Sequence, residues 1–397
     1  MKTAIIGGGA AGFFLAINLK KMSPTMQVDI FERSHRVLAK VEVSGGGRCN
    51  CTNTFEGVSD LSQVYPRGHR LMRRLFHVFD HHDAYRWFEC HGVPLTAQAD
   101  HCVFPAAQDS HAIIDCFLGE ARRHGIRILT GHPINGADGL DDYDYVAVTT
   151  GGSPRAQGVE WLRSIGHAIE DPVPSLFSLS TADPSLKAMM GTVADRAMVS
   201  LPGTKIRTHG PLLITHWGVS GPAILKLSSH AARILHERQY KTKICINWTG
   251  LPEAEVRQQL METAAAHPMQ QLTTHAPLGM TQRLWTYLLA KSIGGKPEMR
   301  WNEMGKKVLN RLVAILTADE VAVTGRAPFR DEFVTCGGIA LSNIHPQTME
   351  SRVRPGMYFA GEVLDIDGVT GGFNFQAAWT TAFTAASAIA QRAKALF

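Results

Sequence analysis

The chain has no paired cysteine framework. Its seven cysteines, at 49, 51, 90, 102, 116, 245 and 336, are odd in number and scattered. That pattern fits free thiols in a reducing cytoplasm and excludes a disulfide-stapled secreted scaffold. Cys49-x-Cys51 has no second pair at metal-ligand spacing, so no metal site is expected there. No stretch has the length and purity of a transmembrane helix, and no membrane association is expected. Three glycines interrupt the apolar N-terminus, and no small-residue cleavage site follows, so a signal peptide is not expected either. Internal repeats are missing. Charge is sparse: 19% of residues are Asp, Glu, Lys or Arg, against 45% hydrophobic, which describes a folded, soluble chain. At 397 residues it has room for two or three domains with ample core.

Glycine is abundant, with 37 residues, and the first of them organise the N-terminus. Lys2-Thr3-Ala4-Ile5-Ile6 is a short apolar run ending in Gly7-Gly8-Gly9-Ala10-Ala11-Gly12. A helical pattern follows from Ala11 to about Met22, then a second run, Gln27 to Phe31, closed by Glu32 and Arg33. Gly7, Gly9 and Gly12 have the G-x-G-x-x-G spacing. Gly7 permits the tight turn, Gly9 lets a pyrophosphate approach the backbone, and Gly12 lets helix and strand pack closely. The helix N-terminus, at Ala10 and Ala11, offers free N–H groups and partial positive charge to phosphates. Glu32 stands where a carboxylate can accept ribose hydroxyls. The motif alone is weak; with strand, helix and acid in place it predicts a dinucleotide site rather than a chance glycine turn.

Ser44-Gly45-Gly46-Gly47-Arg48-Cys49-Asn50 is a second glycine-rich loop, and it can wrap the same ligand through Gly46, Gly47, Arg48 and Asn50. Leu71 to Glu89 carries a helical core face. Within it Phe79-Asp80-His81-His82-Asp83 suggests metal chemistry, but adjacent histidines leave a helix on different sides, and a solvated helix end is the reading taken. Tyr145 to Thr150-Gly151-Gly152 is a buried strand ending where backbone can pass a cofactor. Pro154 and Pro172-Val173-Pro174 mark an exit from the domain. From 175 to 327 the pattern changes to short strands (Leu176 to Leu179, Ala197 to Leu201, Thr204 to Thr208, Leu212 to Thr215, Lys243 to Trp248) and three helices, near 252–266, 280–292 and 301–316. Gly218-Val219-Ser220-Gly221 matches a hydrolase elbow in letters only, because Pro222 follows and the triad order is missing. His216 is a candidate acid beside it. Near the C-terminus, Phe333 to Ile339 is a strand. Gly356 to Gly361-Glu362 is another, followed by Asp365, Asp367, Gly371-Gly372-Phe373-Asn374 and a long Ala-rich helix. A helix N-terminus there suits the electron-rich edge of a reduced flavin, and an acid suits a ribityl hydroxyl. A plain NAD-binding domain does not need this distant partner, so FAD is the expected cofactor.

These motifs together resemble one family. It comprises bacterial flavoproteins that include bile-acid Δ4,6-reductase-like proteins, aminoacetone-oxidase-like proteins and the dihydrouridine synthase of 23S ribosomal RNA. The likeness rests on Gly7–Gly12, Ser44–Asn53, Thr150-Gly151-Gly152, Thr215–Leu225 and the run from Cys336 to Trp379. It implies an α/β fold of the two-dinucleotide-binding-domain flavoprotein type. A discontinuous FAD-binding Rossmann-like domain (1–174 and 328–397) would enclose an inserted β-barrel and helical domain (175–327), with no separate nicotinamide-binding domain. Where the family has Gly-Arg-Lys-Leu before its Ser-Gly-Gly-Gly loop, this chain has Arg36-Val37-Leu38-Ala39-Lys40, and Lys40 is the basic candidate. The family's Ala-Gly-Gly is Cys336-Gly337-Gly338 here, so Cys336 carries no family role. The stretch 153–160 is shorter than usual.

The resemblance implies a reductase in which NADH or NADPH reduces FAD and hydride passes to a polarised C=C, C6 of uridine in 23S ribosomal RNA being the leading case. An acid must then protonate C5. Cys49 is the first candidate, as a neutral thiol near the expected flavin, and His216 the second. Basic clusters at 67–74, 122–127 and 306–311 are read as solvated helix faces, or as phosphate contacts if the substrate is RNA. Phe373 or Phe375 would then stack on the base. A small-molecule oxidase or enone reductase is the alternative. A flavin-bound regulatory or RNA-binding protein without turnover is the third reading.

Overall fold

In the computed structural model, residues 1–136, 139–153, 158–294, 298–327 and 334–395 are described. Pro154, expected to mark a domain exit, and Phe333, expected to open a strand, lie outside them, as do residues 328–333 at the expected second boundary. The chain divides into two compact units, Met1–Val173 with Val334–Phe397, and Pro174–Phe333.

The first unit is built on a five-stranded sheet in the order Met357–Phe359, Tyr145–Val148, Lys2–Ile6, Gln27–Glu32, Arg127–Thr130. Every pairing is parallel. Parallel strands need helical crossovers, and their apolar runs are buried on both faces; Ala4, Ile5, Ala147, Val148 and Phe359 are fully enclosed. The helices Ala10–Met22 and Phe373–Lys394 contribute the core, so both chain ends enter one layer. Phe14 packs on Trp87, Trp379 and Phe79 at ring-centroid distances of 4.6, 5.1 and 5.4 Å. The expected single helical face from Leu71 to Glu89 is two helices, His69–Leu75 and His81–Cys90. Asp80 breaks it. Its carboxylate accepts the Asp83 N–H at 3.0 Å, and Asp83 accepts the Asp80 N–H at 2.9 Å, a reciprocal cap that starts the second helix.

The second unit holds a seven-stranded sheet ordered Asp319–Val323, Thr242–Asn247, Val193–Ser200, Arg207–Ile214, Gly218–Ser220, Leu179–Ser180, Gly325–Arg326. Its two edges are successive pieces of one chain segment. Asp319–Val323 pairs with Thr242–Asn247, and Gly325–Arg326 pairs with Leu179–Ser180, so one continuous segment links the two ends of the sheet and curls it toward a barrel. The strands expected at 204–208 and 212–215 are one strand. Only Leu179 of the expected 176–179 strand is retained, and Asp319–Val323 was not anticipated. Pro172 and Pro174, expected at a domain exit, lie within the strand Ile169–Ser175, which pairs with Val334–Ile339. Helices Glu253–Ala266, Gln282–Ile293 and Lys306–Ala318 supply the rest, with Trp285 and Trp301 buried and stacked at 6.1 Å. Among the described residues no helix is long and apolar enough to cross a membrane.

Candidate active site

The N-terminal glycines have three different surroundings. Gly7 has φ +114°, and a Cβ there would lie 2.5 Å from the Thr149 carbonyl oxygen. A Cβ on Gly12 would lie 2.1 Å from the Gly7 carbonyl oxygen. Both positions therefore exclude any side chain. Gly9 has nothing within 4 Å of its would-be Cβ, so its backbone faces open space at the start of the Ala10 helix. Thr149 ties the turn down: its hydroxyl donates to the Gly7 carbonyl at 2.9 Å. Thr150, expected at the cofactor, is exposed beside it. A hydroxyl one position inside the strand end was the available signal.

Glu32 ends the second strand beside this turn. One carboxylate oxygen accepts the Gly8 N–H at 2.9 Å and the other the Ser34 N–H at 2.9 Å. Arg33 is exposed beside it.

The second glycine loop begins inside a helix, Ala39–Gly47, whose last turn unwinds at Ser44, Gly45 and Gly46. Gly45, Gly46 and Gly47 all have positive φ, and the would-be Cβ positions of Gly46 and Gly47 are open, like that of Gly9. Arg48 Nε donates to the Gly45 carbonyl at 3.1 Å, and its guanidinium lies 4.3 Å from the Phe104 ring centroid and donates to Gln108 at 3.2 Å. The Asn50 amide, in the orientation that satisfies both its ends, accepts the Gly372 N–H at 3.2 Å and donates to the Thr52 carbonyl at 3.0 Å.

The C-terminal segment meets these loops. Gly361, at φ +77°, lies against Ala11: a Cβ there would be 2.8 Å from the Ala11 Cβ. Lys40 Nζ donates to Glu362 Oε2 at 2.8 Å across 322 residues of sequence. Burial pushes the Glu362 carboxyl up, but the Lys40 ammonium and the N–H groups of Thr335 and Gly152 outweigh it and hold the pKa below its ordinary value. Thr335 and Gly152 were not expected in this role. Gly151, at φ +73°, is next to the same carboxylate.

Gly371 and Gly372 open the long C-terminal helix, and a Cβ on Gly372 would strike the Thr52 carbonyl oxygen at 2.1 Å. Phe373 is 6% exposed and packs edge-on to Phe55 and Tyr65, 5.1 and 6.1 Å away. That burial removes it as a base-stacking ring. Phe375 is half-buried and stacks on Trp379 at 5.5 Å. Asn374 closes the preceding loop on Gly368, accepting its N–H at 2.8 Å and donating to its carbonyl at 2.9 Å. Asp367 is fully buried in a two-pronged ion pair with Arg67, which closes it to a ribityl hydroxyl.

The two candidate acids differ. Cys49 has no exposed surface, and burial pushes its thiol up to about 12, with the Ser44 hydroxyl opposing. The thiol keeps its proton, but a cofactor could only bury it further, so in this conformation it does not reach a substrate. His216 is exposed and belongs to the second unit. It and Trp217 form the tip of a hairpin closed by the Thr215 and Gly218 backbones at 2.8 and 3.2 Å.

Gly9, Gly46 and Gly47 thus face open space, with an acid at the end of the second strand and two helix N-termini in the same unit. This fits FAD: Gly7–Gly12 and Glu32 would hold its adenosine and pyrophosphate, and the Gly361–Gly372 segment its ring. Fold and site define an FAD-dependent oxidoreductase with a Rossmann-like nucleotide domain. Residues 1–388 match the family described as HI0933-like protein Rossmann domain, and the chain belongs to it. Among curated proteins it is 26% identical to the 3-dehydro-bile acid delta(4,6)-reductase of Clostridium scindens, covering 98% of this chain and 99% of that protein. It is also 26% identical to the ribosomal RNA dihydrouridine synthase of Escherichia coli, covering 96% of each. A solved 3-ketosteroid delta1-dehydrogenase from Sterolibacterium denitrificans superposes with a TM-score of 0.49 at 10% identity, covering 98% of this chain and 99% of that one.

Proposed function

We propose that this oxidoreductase uses NADH or NADPH to saturate a polarised C=C bond, with uridine in 23S ribosomal RNA as the substrate. The observation that carries the reading is the pair of relatives. One is named for dihydrouridine synthesis and the other for reduction of a bile-acid derivative, each over nearly the whole chain. A uracil ring and an enone both offer an alkene conjugated to a carbonyl, so one chemistry serves both. Bound FAD supplies the two-electron step. In balance, uridine, NAD(P)H and a proton give dihydrouridine and NAD(P)+, with hydride added at C6 and the proton at C5.

The chain's own part is positioning and proton supply. Glu32 and the first glycine turn orient the adenosine end of the cofactor, and the ion-paired Glu362 orders the ring end. Of the two candidate acids only His216 is exposed, so it is the one to test as proton donor, and the buried Cys49 is a structural residue. His216→Gln should lower turnover, with bound flavin absorbance unchanged. A full rate would exclude His216.

The decisive test is dihydrouridine mapping in 23S ribosomal RNA from a strain lacking this protein, with complementation. Loss of one modification, restored by the gene, is the expected result. Unchanged modification, together with NADH oxidation coupled to a steroid-type enone, would establish the small-molecule reading, which the bile-acid relative favours.

A further inference from the structure

The helix His69–Leu75 has two unlike faces. Leu71, Met72 and Leu75 are buried, whereas Arg70, Arg73 and Arg74 are exposed. Positions i, i+3 and i+4 lie on one side of a helix, so the three guanidinium groups share an outward face. Arg70 and Arg74 are like charges one turn apart, which destabilises a helix unless an anion offsets them. Asp60 meets Arg73 at 2.9 Å, with both side chains about half exposed. Among the described residues no carboxylate pairs with Arg70 or Arg74. The second basic cluster is different: Arg123 is paired with Glu120, and Arg127 with the buried Asp29.

This face is tied to the segment that opens the C-terminal helix. Arg67, just before the helix, grips the fully buried Asp367 through both guanidinium prongs, and the backbones of the two residues also bridge. The Val369 N–H donates to the Val64 carbonyl at 2.8 Å. The Tyr65 hydroxyl donates to the Phe373 carbonyl at 2.9 Å. Residues 64–68 therefore clasp 366–373 and run directly into the arginine face.

We infer that Arg70, Arg73 and Arg74 dock the phosphate backbone of a single-stranded RNA segment; the inference rests on the RNA reading above. Guanidinium forks match phosphate oxygens. Arg70 and Arg74 are about 6 Å apart along the helix axis, so they meet neighbouring phosphates rather than the same one. A uracil must leave its stack to be reduced, and a protein that extrudes a base has to hold the strand beside it. One clasp separates the arginine face from Gly371 and Gly372, so phosphates held there flank a base delivered to that turn.

The test is fluorescence anisotropy of a labelled oligouridylate with the FAD-loaded full chain. The variants are R70Q/R73Q/R74Q, its charge-keeping counterpart R70K/R73K/R74K, and K306Q/K307Q/R311Q as a matched charge change elsewhere. The glutamine variant of the arginine face should bind at least tenfold more weakly. Its slope of log K against log salt should flatten by about 2, at ~0.7 per lost phosphate contact. The lysine variant should keep the slope, and all three should keep wild-type flavin absorbance and melting midpoint. Wild-type affinity in R70Q/R73Q/R74Q would overturn the inference and leave the RNA reading standing. Equal loss in K306Q/K307Q/R311Q, or equal competition by polyglutamate, would also overturn it, by showing that the arginine face is no more than one of several basic patches or that acidic protein serves as well. A wild-type protein that neither binds RNA nor modifies it would remove the RNA reading itself.

Discussion

Glu32 meets the cofactor site with its carboxylate already oriented by the Gly8 and Ser34 N–H groups. In the proposed site those bonds would hold it in place for ribose hydroxyls. Glu32→Ala should raise the FAD dissociation constant at least tenfold, since each lost charged hydrogen bond is worth ~1.5–3 kcal/mol. Flavin fluorescence titration measures this, and an unchanged constant would remove Glu32 from the site. Cys49 is a different case. The loop around it was legible as a motif, but burial is not written in a motif, and the thiol is wholly enclosed. Cys49→Ala should therefore keep both flavin and turnover while losing roughly 1 kcal/mol of stability. Loss of turnover in a protein that still holds FAD would restore the thiol to the mechanism.

At the scale of elements, the contacts that matter join segments far apart in the chain. The Arg67–Asp367 pair fastens the approach to the short arginine-rich helix onto the loop before the C-terminal helix. Removing one partner from a buried pair strands the other charge, at a cost of ~3–5 kcal/mol. Asp367→Ala should lower the urea midpoint accordingly, and an Arg67→Met, Asp367→Leu double variant should recover much of the loss. Equal midpoints for Asp367→Ala and wild type would contradict the burial. The same two residues show why the sequence misled on roles: Asp367 looked available for a ribityl hydroxyl, and Arg67 for a phosphate. Spacing shows which residue types are near in sequence, not which have already found partners. The break between residues 75 and 81 was missed for a related reason. An apolar stripe continues across it, and only the reciprocal cap of Asp80 and Asp83 ends the periodicity.

Across the molecule, Lys40 and Glu362 join the two halves of the discontinuous unit. Glu362 is held below its ordinary pKa of 4.5. Its ionised contacts stabilise the fold above that value, and the stability is lost as pH falls through the depressed pKa. Lys40→Met removes the counter-charge, so the Glu362 pKa rises and acid unfolding should begin at higher pH. The loss at neutral pH should be about 1 kcal/mol or less, because Lys40 is half exposed. Melting midpoints from neutral pH down to about 3 would show this, since unpaired Glu titrates near 4.3. Superimposable acid limbs for variant and wild type would show that the pair is idle.

What the sequence determined by itself was whatever depends on local backbone geometry. Gly7, Gly9 and Gly12, the strand–helix–strand order and the acid at Glu32 follow from spacing, because Gly7 and Gly12 have no room for a side chain and only alternating strands and helices bury those apolar runs. The α/β class was legible for the same reason, whereas FAD rather than NAD was read from the distant Gly361–Asn374 constellation and the resemblance to a flavoprotein family. The tertiary structure decided what depends on partners distant in the chain. It enclosed Cys49, buried Phe373 between Phe55 and Tyr65, spent Asp367 on Arg67, and linked the two ends of the second sheet through the segment starting at Asp319. Burial and pairing are properties of packing between remote segments, and no pattern of neighbouring residues encodes them.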